Sequence, residues 1–490
     1  MQVSVSSLKR SVALVALALV LPGCISMAPD AETPAIVADI PEEFAQDQSS
    51  GGYAPARWWA AFEDPVLDVL VGEALARNLD IAEAAGRLEQ ASAQARISRA
   101  ALFPAISASG DGSFSSSPVD GLAFGDIAGG VIDRIENENY TLSLGASYEL
   151  DLFGRARNDL RAAQQDAAAS AYDLQTVQLS ATAETISAYF DLVDTRRQIE
   201  LLKLTDDVVS DRAARSEDRF ERGLIESFEL YQVRQDLRST QASIPQLESA
   251  EVAARSRLAL VLGMYPQQLD EHLSAELKPR LVFADIPAGL PIDLLAQRPD
   301  VAAAWARLEA ARYRIGARKA ERFPQLSLSG SIGTQGGNIS AAFDPADNWA
   351  ASLAASIVAP IFDAGRISAN IRSARAVHDQ QAAAYARTVL SAYGEAEAAI
   401  ADYSEQRRRY RLIFEQLVTA RASLDLQSRR FEAGVGEYTA YLDALRTVYQ
   451  VESSLSSAAR DTALARLGVH RALGGDWSGT QTNTANGGTP

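Results

Sequence analysis

Few residues in this sequence could do chemistry. The three histidines, His272, His378 and His470, lie far apart with no cysteine or second histidine near any of them, so they read as surface or packing residues rather than a metal site. No nucleophile–base pair, phosphate loop or metal-ligand cluster stands out, which argues against an enzyme and against a cofactor. The formal net charge is −17, and the first 23 residues hold Lys9 and Arg10 with no acid, so the remainder is more acidic still. Such a surface repels nucleic acid and offers no polybasic membrane anchor. One reactive group is left. Cys24 is the only cysteine, so no intramolecular disulfide can form.

The setting of that thiol carries the information. Lys9 and Arg10 make a positive stretch and Val12 to Leu21 an apolar one too short to span a bilayer, and Leu21-Pro22-Gly23-Cys24 follows directly. The tetrapeptide has the form of a bacterial lipobox, in which a signal peptidase cuts before the cysteine and the thiol then carries diacylglycerol. The plainer alternative is an ordinary signal peptide whose cleavage site contains a cysteine. The sole cysteine stands at the one position the motif needs, so residues 1–23 read as a lipoprotein signal peptide and 24–56, rich in Pro, Asp, Glu, Ser and Gly, as a lipidated tether. Elsewhere no apolar run reaches the length of about 18 residues that a transmembrane helix needs.

The element such an anchor would serve is written in period two. From Tyr140 to Leu152, Tyr140, Leu142, Leu144, Ala146, Tyr148, Leu150 and Leu152 alternate with Thr141, Ser143, Gly145, Ser147, Glu149 and Asp151. This is the pattern of a strand whose two faces see different solvents. Ala105 to Phe114, Leu326 to Thr334 and Trp349 to Ile361 read the same way, and the four fall into two hairpins. Each is long enough for a tilted membrane strand of about 9 to 11 residues. Four strands cannot close a barrel, because lipid offers no partner to an open edge and the smallest closed barrels have about 8 strands. Several copies must therefore share one. Taken alone, the strands slightly favour the plainer reading, two soluble hairpins on a helical domain.

The helices decide between these. Asp64-Pro65 predicts a helix start, and Phe103-Pro104 ends the helical stretch that follows. Ala156 to Arg222 contains no proline or glycine, and Tyr172, Leu179, Ile186 and Val193 recur at seven-residue intervals, the seam of a coiled coil. At 1.5 Å per residue such a helix runs roughly 100 Å. Gly223 ends it, and a second helix returns from about Ser227 to Leu262, interrupted only at Pro245.

The pattern then starts again. Leu75-Ala76, Asp80, Leu88-Glu89 and Phe103-Pro104 match Leu295-Ala296, Asp300, Leu308-Glu309 and Phe323-Pro324 at a displacement of 220, while Gly154-Arg155, Phe220, Gly223 and Leu262-Gly263 match Gly365-Arg366, Phe431, Gly434 and Leu473-Gly474 at 211. Residues 57–276 thus form a first repeat (helix, strands about 105–114 and 140–152, long helix hairpin), and residues 295–474 a second with strands about 326–334 and 349–361. The second long helix has its own seam at Tyr403, Tyr410, Leu417, Leu424 and Phe431. Residues 277–299, with four prolines, read as a connector and 475–490 as a disordered tail. Both hairpins leave and rejoin helices at one end, which puts the strands there and the turns at Gly223 and Gly434 at the other.

Read together, the lipobox, Trp58-Trp59 with Phe62 and Asp64-Pro65, Asn78-Leu79-Asp80, the two Phe-Pro junctions, Tyr148-Glu149-Leu150-Asp151-Leu152-Phe153-Gly154-Arg155 and Phe431-Glu432-Ala433-Gly434 with Leu442-Asp443-Ala444 resemble the outer membrane factor family, TolC-like, and its NodT branch of efflux lipoproteins. The resemblance implies a mainly α fold with a transmembrane β part. In it a homotrimer pools four strands per protomer into a twelve-stranded barrel continuous with a periplasmic α-barrel of coiled-coil helices. It implies a lipid-anchored protein of the outer membrane of a Gram-negative bacterium, a passive exit duct for drugs or other small toxic molecules. Its partners would be a periplasmic adaptor and an inner-membrane pump of the resistance-nodulation-division type. Family members close the tunnel at the helix tips with acidic rings. Asp443 matches that motif, Ala440 stands where relatives often hold another acid, and Glu437, Glu226 and Glu229 lie close enough to substitute. The plain reading of Asp443 is a solvated helix carboxylate. Two rivals stay open: a duct for metal ions or for type I protein secretion, and a lipid-anchored periplasmic coiled-coil scaffold.

Overall fold

The computed structural model describes residues 26–31, 58–118, 134–273 and 298–475. Cys24, the signal segment, most of the tether and nearly all of the connector and tail lie outside them. Two compact units emerge, and each draws on both sequence repeats. One falls within residues 1–32, 89–168 and 306–382, the other within 33–88, 169–305 and 383–490.

The second unit holds the main apolar core. A 3-10 turn, Trp58–Phe62, precedes α1 (Pro65–Arg77), and Asp64 starts that helix. One oxygen of its carboxylate accepts from the amides of Val66 (2.9 Å) and Leu67 (3.4 Å), and the other accepts the Tyr189 hydroxyl at 2.6 Å. Around this point Trp58, Leu67, Leu70, Ile186, Leu258 and Leu262 are buried against one another. Asp64→Ala would remove a cap worth about 1 kcal/mol and leave a buried hydroxyl unpaired at about 1–3 kcal/mol. Thermal unfolding is therefore expected to fall clearly for Asp64→Ala and less for Asp64→Asn, which keeps an acceptor.

His470 lies in the same core, stacked on Trp58 at 5.3 Å between centroids. Burial, with Arg466 nearby, lowers its pKa to about 3. An unfolded histidine titrates near 6.5, so between about pH 6.5 and 3 the unfolded chain binds a proton that the folded chain refuses. Stability is expected to drop on acidification through this window, by up to about 1.4 kcal/mol per pH unit. His470→Phe should flatten that slope in melting curves taken against pH.

The long helices form as their breaker-free runs predict. After α2 (Leu79–Ala100) and the first strands come α3 (Arg155–Glu221), of 67 residues, and α4 (Ser227–Val261), of 35. In the second repeat the same lengths recur in α7 (Arg366–Glu432) and α8 (Tyr438–Ala472), after α5 (Pro299–Ala320). On the seams Leu179, Ile186, Tyr403 and Leu417 are buried, whereas Tyr172, Val193, Tyr410 and Leu424 are half-buried and Phe431 is exposed. Pro245 does not interrupt α4. Its ring is exposed, so water can serve the carbonyl that loses its helix donor.

The first unit holds the sheet. Strands β1 (Ala105–Pro118), β2 (Arg134–Leu150), β3 (Gln325–Gly336) and β4 (Trp349–Val358) pair antiparallel in sequence order, so β2 joins β3 and the two hairpins make one sheet. The β1–β2 ladder continues through polar residues to Pro118↔Arg134, beyond the expected ends at Phe114 and Tyr140, because backbone pairing does not depend on alternation. At the helix side β2 and β4 stop at Leu150 and Val358, short of Leu152 and Ile361. A short helix, α6 (Ile339–Ala342), lies in the β3–β4 loop and has no counterpart in the sequence reading.

Candidate functional site: the two-faced sheet and the helix tips

Ladder register sorts the strand side chains into two faces. Ile106, Ala146, Gly330 and Leu353 stand in one cross-strand row, and Ala108, Leu144, Ile332 and Ala351 in another, so one face is apolar over its width. Small rows on it are covered by larger neighbours. The Tyr140 ring and Leu142 side chain lie against Gly112 and Gly110.

The opposite face is built of hydroxyls. Ser109 and Ser143 meet at 3.0 Å, and Ser331 and Ser352 at 2.8 Å. Asp111 and Glu149 are its acids in the paired strands, and Glu149 is held by Arg155 through two bonds of 2.8 Å. Such a face is wet, weakly charged and without deep binding groups, suited to passage rather than capture. Where the chain returns to helix, Phe153 stacks on Phe323 at 4.6 Å. The Phe323-Pro324 junction of the second repeat therefore packs on the end of the Tyr148–Arg155 motif of the first.

In the other unit the turns at Gly223 and Gly434 repeat each other. Both glycines sit at positive φ (71° and 72°), where a Cβ is costly. Their amides close on Phe220 O (2.8 Å) and Phe431 O (2.9 Å). The tip acids take two different settings. Glu226 and Glu437 occupy the N-cap positions of α4 and α8 without a side-chain capping bond, and Glu229 lies in the first turn of α4. Asp443 faces Arg212 of α3 across 2.7 Å, so its charge is matched within the chain.

Sequence reasoning missed the densest contact here. The Tyr438 hydroxyl donates to Asp211, and the Arg215 guanidinium lies 3.8 Å above the Tyr438 ring while its Nε reaches Asp211 at 3.0 Å. The Tyr438 hydrogen bond holds the Asp211 carboxyl below its ordinary pKa, and burial raises that of Tyr438. Farther along α8, Arg446 grips Asp236 of α4 at 2.6 and 3.1 Å. Beside this pair lies a cavity of about 280 Å³ lined by Gln198, Thr205, Thr240, Tyr449 and Ser453. The second repeat's α8 is thus tied to both long helices of the first.

A family model described as outer membrane efflux protein matches residues 70–264 and 290–475, most of the chain and both repeats. The chain belongs to the outer membrane efflux protein family. Members of this family are channels, and the two-faced sheet is the part of an outer-membrane efflux channel that meets lipid. The solvent efflux pump outer membrane protein SrpC of Pseudomonas putida is 30% identical over 473 residues, covering 94% of this chain and 97% of that protein. The cation efflux system protein CusC of Escherichia coli O6:H1 is 29% identical over 471 residues, again 94% and 97%. Among solved structures, the outer-membrane channel OprN superposes with a TM-score of 0.79 at 29% identity, over 92% of this chain and 99% of that one. The fold is therefore the TolC-like one, and relatives of equal similarity differ in the cargo their names carry.

Proposed function

We propose that three copies of this chain close one outer-membrane barrel and one helical tunnel, a passive exit duct in a tripartite efflux system. The observation that carries this is the open edge of a membrane sheet. Among the described residues β1 and β4 have no strand neighbour on their outer sides, and hydrocarbon tolerates no unpaired strand. Exposed apolar residues on α7 (Leu412, Phe414, Val418 and Leu426) supply surface for the adjoining copies. A periplasmic adaptor and an inner-membrane pump of the resistance-nodulation-division type supply selection and energy, since the lining offers neither.

The cargo is drugs or other small toxic molecules, in keeping with the hydroxyl face and the solvent pump relative. A strain lacking the gene is expected to become sensitive to amphiphilic drugs and dyes and to recover with the wild-type copy. Sensitivity confined to metal ions would move the cargo to the cation reading. The helix tips act as the closed gate, with Asp443 working through Arg212 and with Glu437, Glu226 and Glu229 as the acids left facing solvent.

The anchor is diacylglycerol on Cys24, in the outer membrane, with the helices on the periplasmic side. Cys24→Ser is expected to leave the precursor uncut by the lipoprotein signal peptidase, read as a mobility shift on a gel. Normal processing of that variant removes the anchor from the account.

A further inference from the structure

The β3–β4 loop leaves the sheet on a definite side. Gly336 pairs directly with Tyr140, and Thr334 with Leu142 and Trp349, so all of these belong to the apolar face. Helix α6 folds onto that face. The Thr334 hydroxyl donates to the Ala342 carbonyl, and a Cβ added to Gly336 would lie 2.2 Å from Ala341 Cβ, so the helix takes the space a side chain would need. The turn is fastened by Asn338, whose carboxamide oxygen accepts from the Ala341 amide at 2.9 Å, and by the Gln335 amide bonding Asn348 O at 3.0 Å. On the opposite face at the same level, the Gln335 side chain instead reaches Asn139 at 3.0 Å. Nothing of the turn crosses to the hydroxyl side among these contacts.

Folded this way, the turn buries Ala342 and presents Ile339 and Phe343, 63% and 72% exposed, beside Trp349 at 65%. Two large apolar side chains and an indole clustered at the end of a lipid-facing strand face have the composition of an interfacial belt. Asp344 and Asp347, both exposed, follow at once and mark the watery side.

We infer that α6 with Phe343 and Trp349 is a membrane-surface collar, seated in the boundary between headgroups and acyl chains of the outer leaflet. The occupant of this apolar patch is lipid, because the patch is continuous with the face that the barrel turns to lipid. The loop accordingly braces the barrel from outside and does not lid its mouth. The inference rests on the duct reading, in which the apolar face is the outer one.

Single cysteines test it in the full-length protein reconstituted in phosphatidylcholine vesicles. Phe343→Cys, Ile339→Cys, Leu144→Cys and Ser331→Cys are each labelled with bimane, and protein without an introduced cysteine reports any reaction at Cys24. The labels at 343, 339 and 144 are expected to lose fluorescence to nitroxide carried on the lipid and to resist aqueous iodide, with 331 behaving oppositely. If 343 and 339 yield only to iodide while 144 yields to lipid nitroxide, the collar is overturned and the duct stands. If 144 also yields only to iodide, the apolar face does not meet lipid and both readings fall.

Discussion

Leu144→Arg is expected to abolish the assembled channel, while Ser143→Arg, its immediate neighbour, leaves assembly intact. Leu144 lies mid-strand between Ala108 and Ile332, in the middle of the apolar face. An arginine facing lipid at the bilayer midplane costs about 2–4 kcal/mol, and a trimer would carry three of them. Set against a stability of about 5–15 kcal/mol per domain, each chain loses a large part of its margin, and a shared barrel needs all three chains. Ser143 points the other way, onto the hydroxyl face with Ser109. There water solvates the new charge, and the expected change is in ion preference rather than in assembly. The check is heat-modifiable oligomer in outer-membrane fractions, followed by planar-bilayer recording. Equal assembly of both variants would mean that the faces do not see different solvents.

The second large effect is expected at the tips. Tyr438→Phe with Arg212→Ala removes the hydroxyl that Asp211 accepts and the cation that faces Asp443. A net hydrogen bond and an exposed ion pair together contribute about 1–2 kcal/mol per chain. In the proposed trimer three chains act on one gate, so the closed-to-open ratio is expected to shift by roughly a hundred-fold or more, since about 1.4 kcal/mol is one decade. Single-channel conductance in planar bilayers should rise several-fold. Arg222→Ala, which breaks only the pair with Asp218 at the C-terminal end of α3, should leave it unchanged. Because the Tyr438 bond lowers the Asp211 pKa, this tie persists from neutral pH down to the ordinary aspartate range of about 4, and weakens only as the pH falls through the lowered value. Unchanged conductance in the double variant would take the gate away from these residues.

What the sequence made legible follows from how each signal is encoded. Alternation in Tyr140 to Leu150 and the breaker-free stretch of α3 are local patterns, so strand and helix could be read in place. Gly223 and Gly434 were legible because glycine is the residue that takes the left-handed turn at least cost. The tips' chemistry was not. Asp211 and Tyr438 are 227 positions apart and of common types, so nothing local marks them as a pair. Asp443 was visible as an acid near a tip, but its partner Arg212 was hidden in a helix crowded with arginines. Helix α6 escaped notice because four residues carry no periodicity, and what makes it fold is a contact with Gly336 on the strand before it. The polar extension of β1 and β2 escaped for the opposite reason: it is held by backbone pairing and by an Arg134 tie to Ser116, neither of which needs alternation.

The most direct test of pooled sheets is electron microscopy of the full-length protein purified in mild detergent. Three-fold hollow cylinders, each with a short detergent-belted barrel of twelve strands and a long helical tunnel, are the predicted result. Monodisperse single chains without a central channel, at concentrations where the protein is active in cells, would contradict the account at its root.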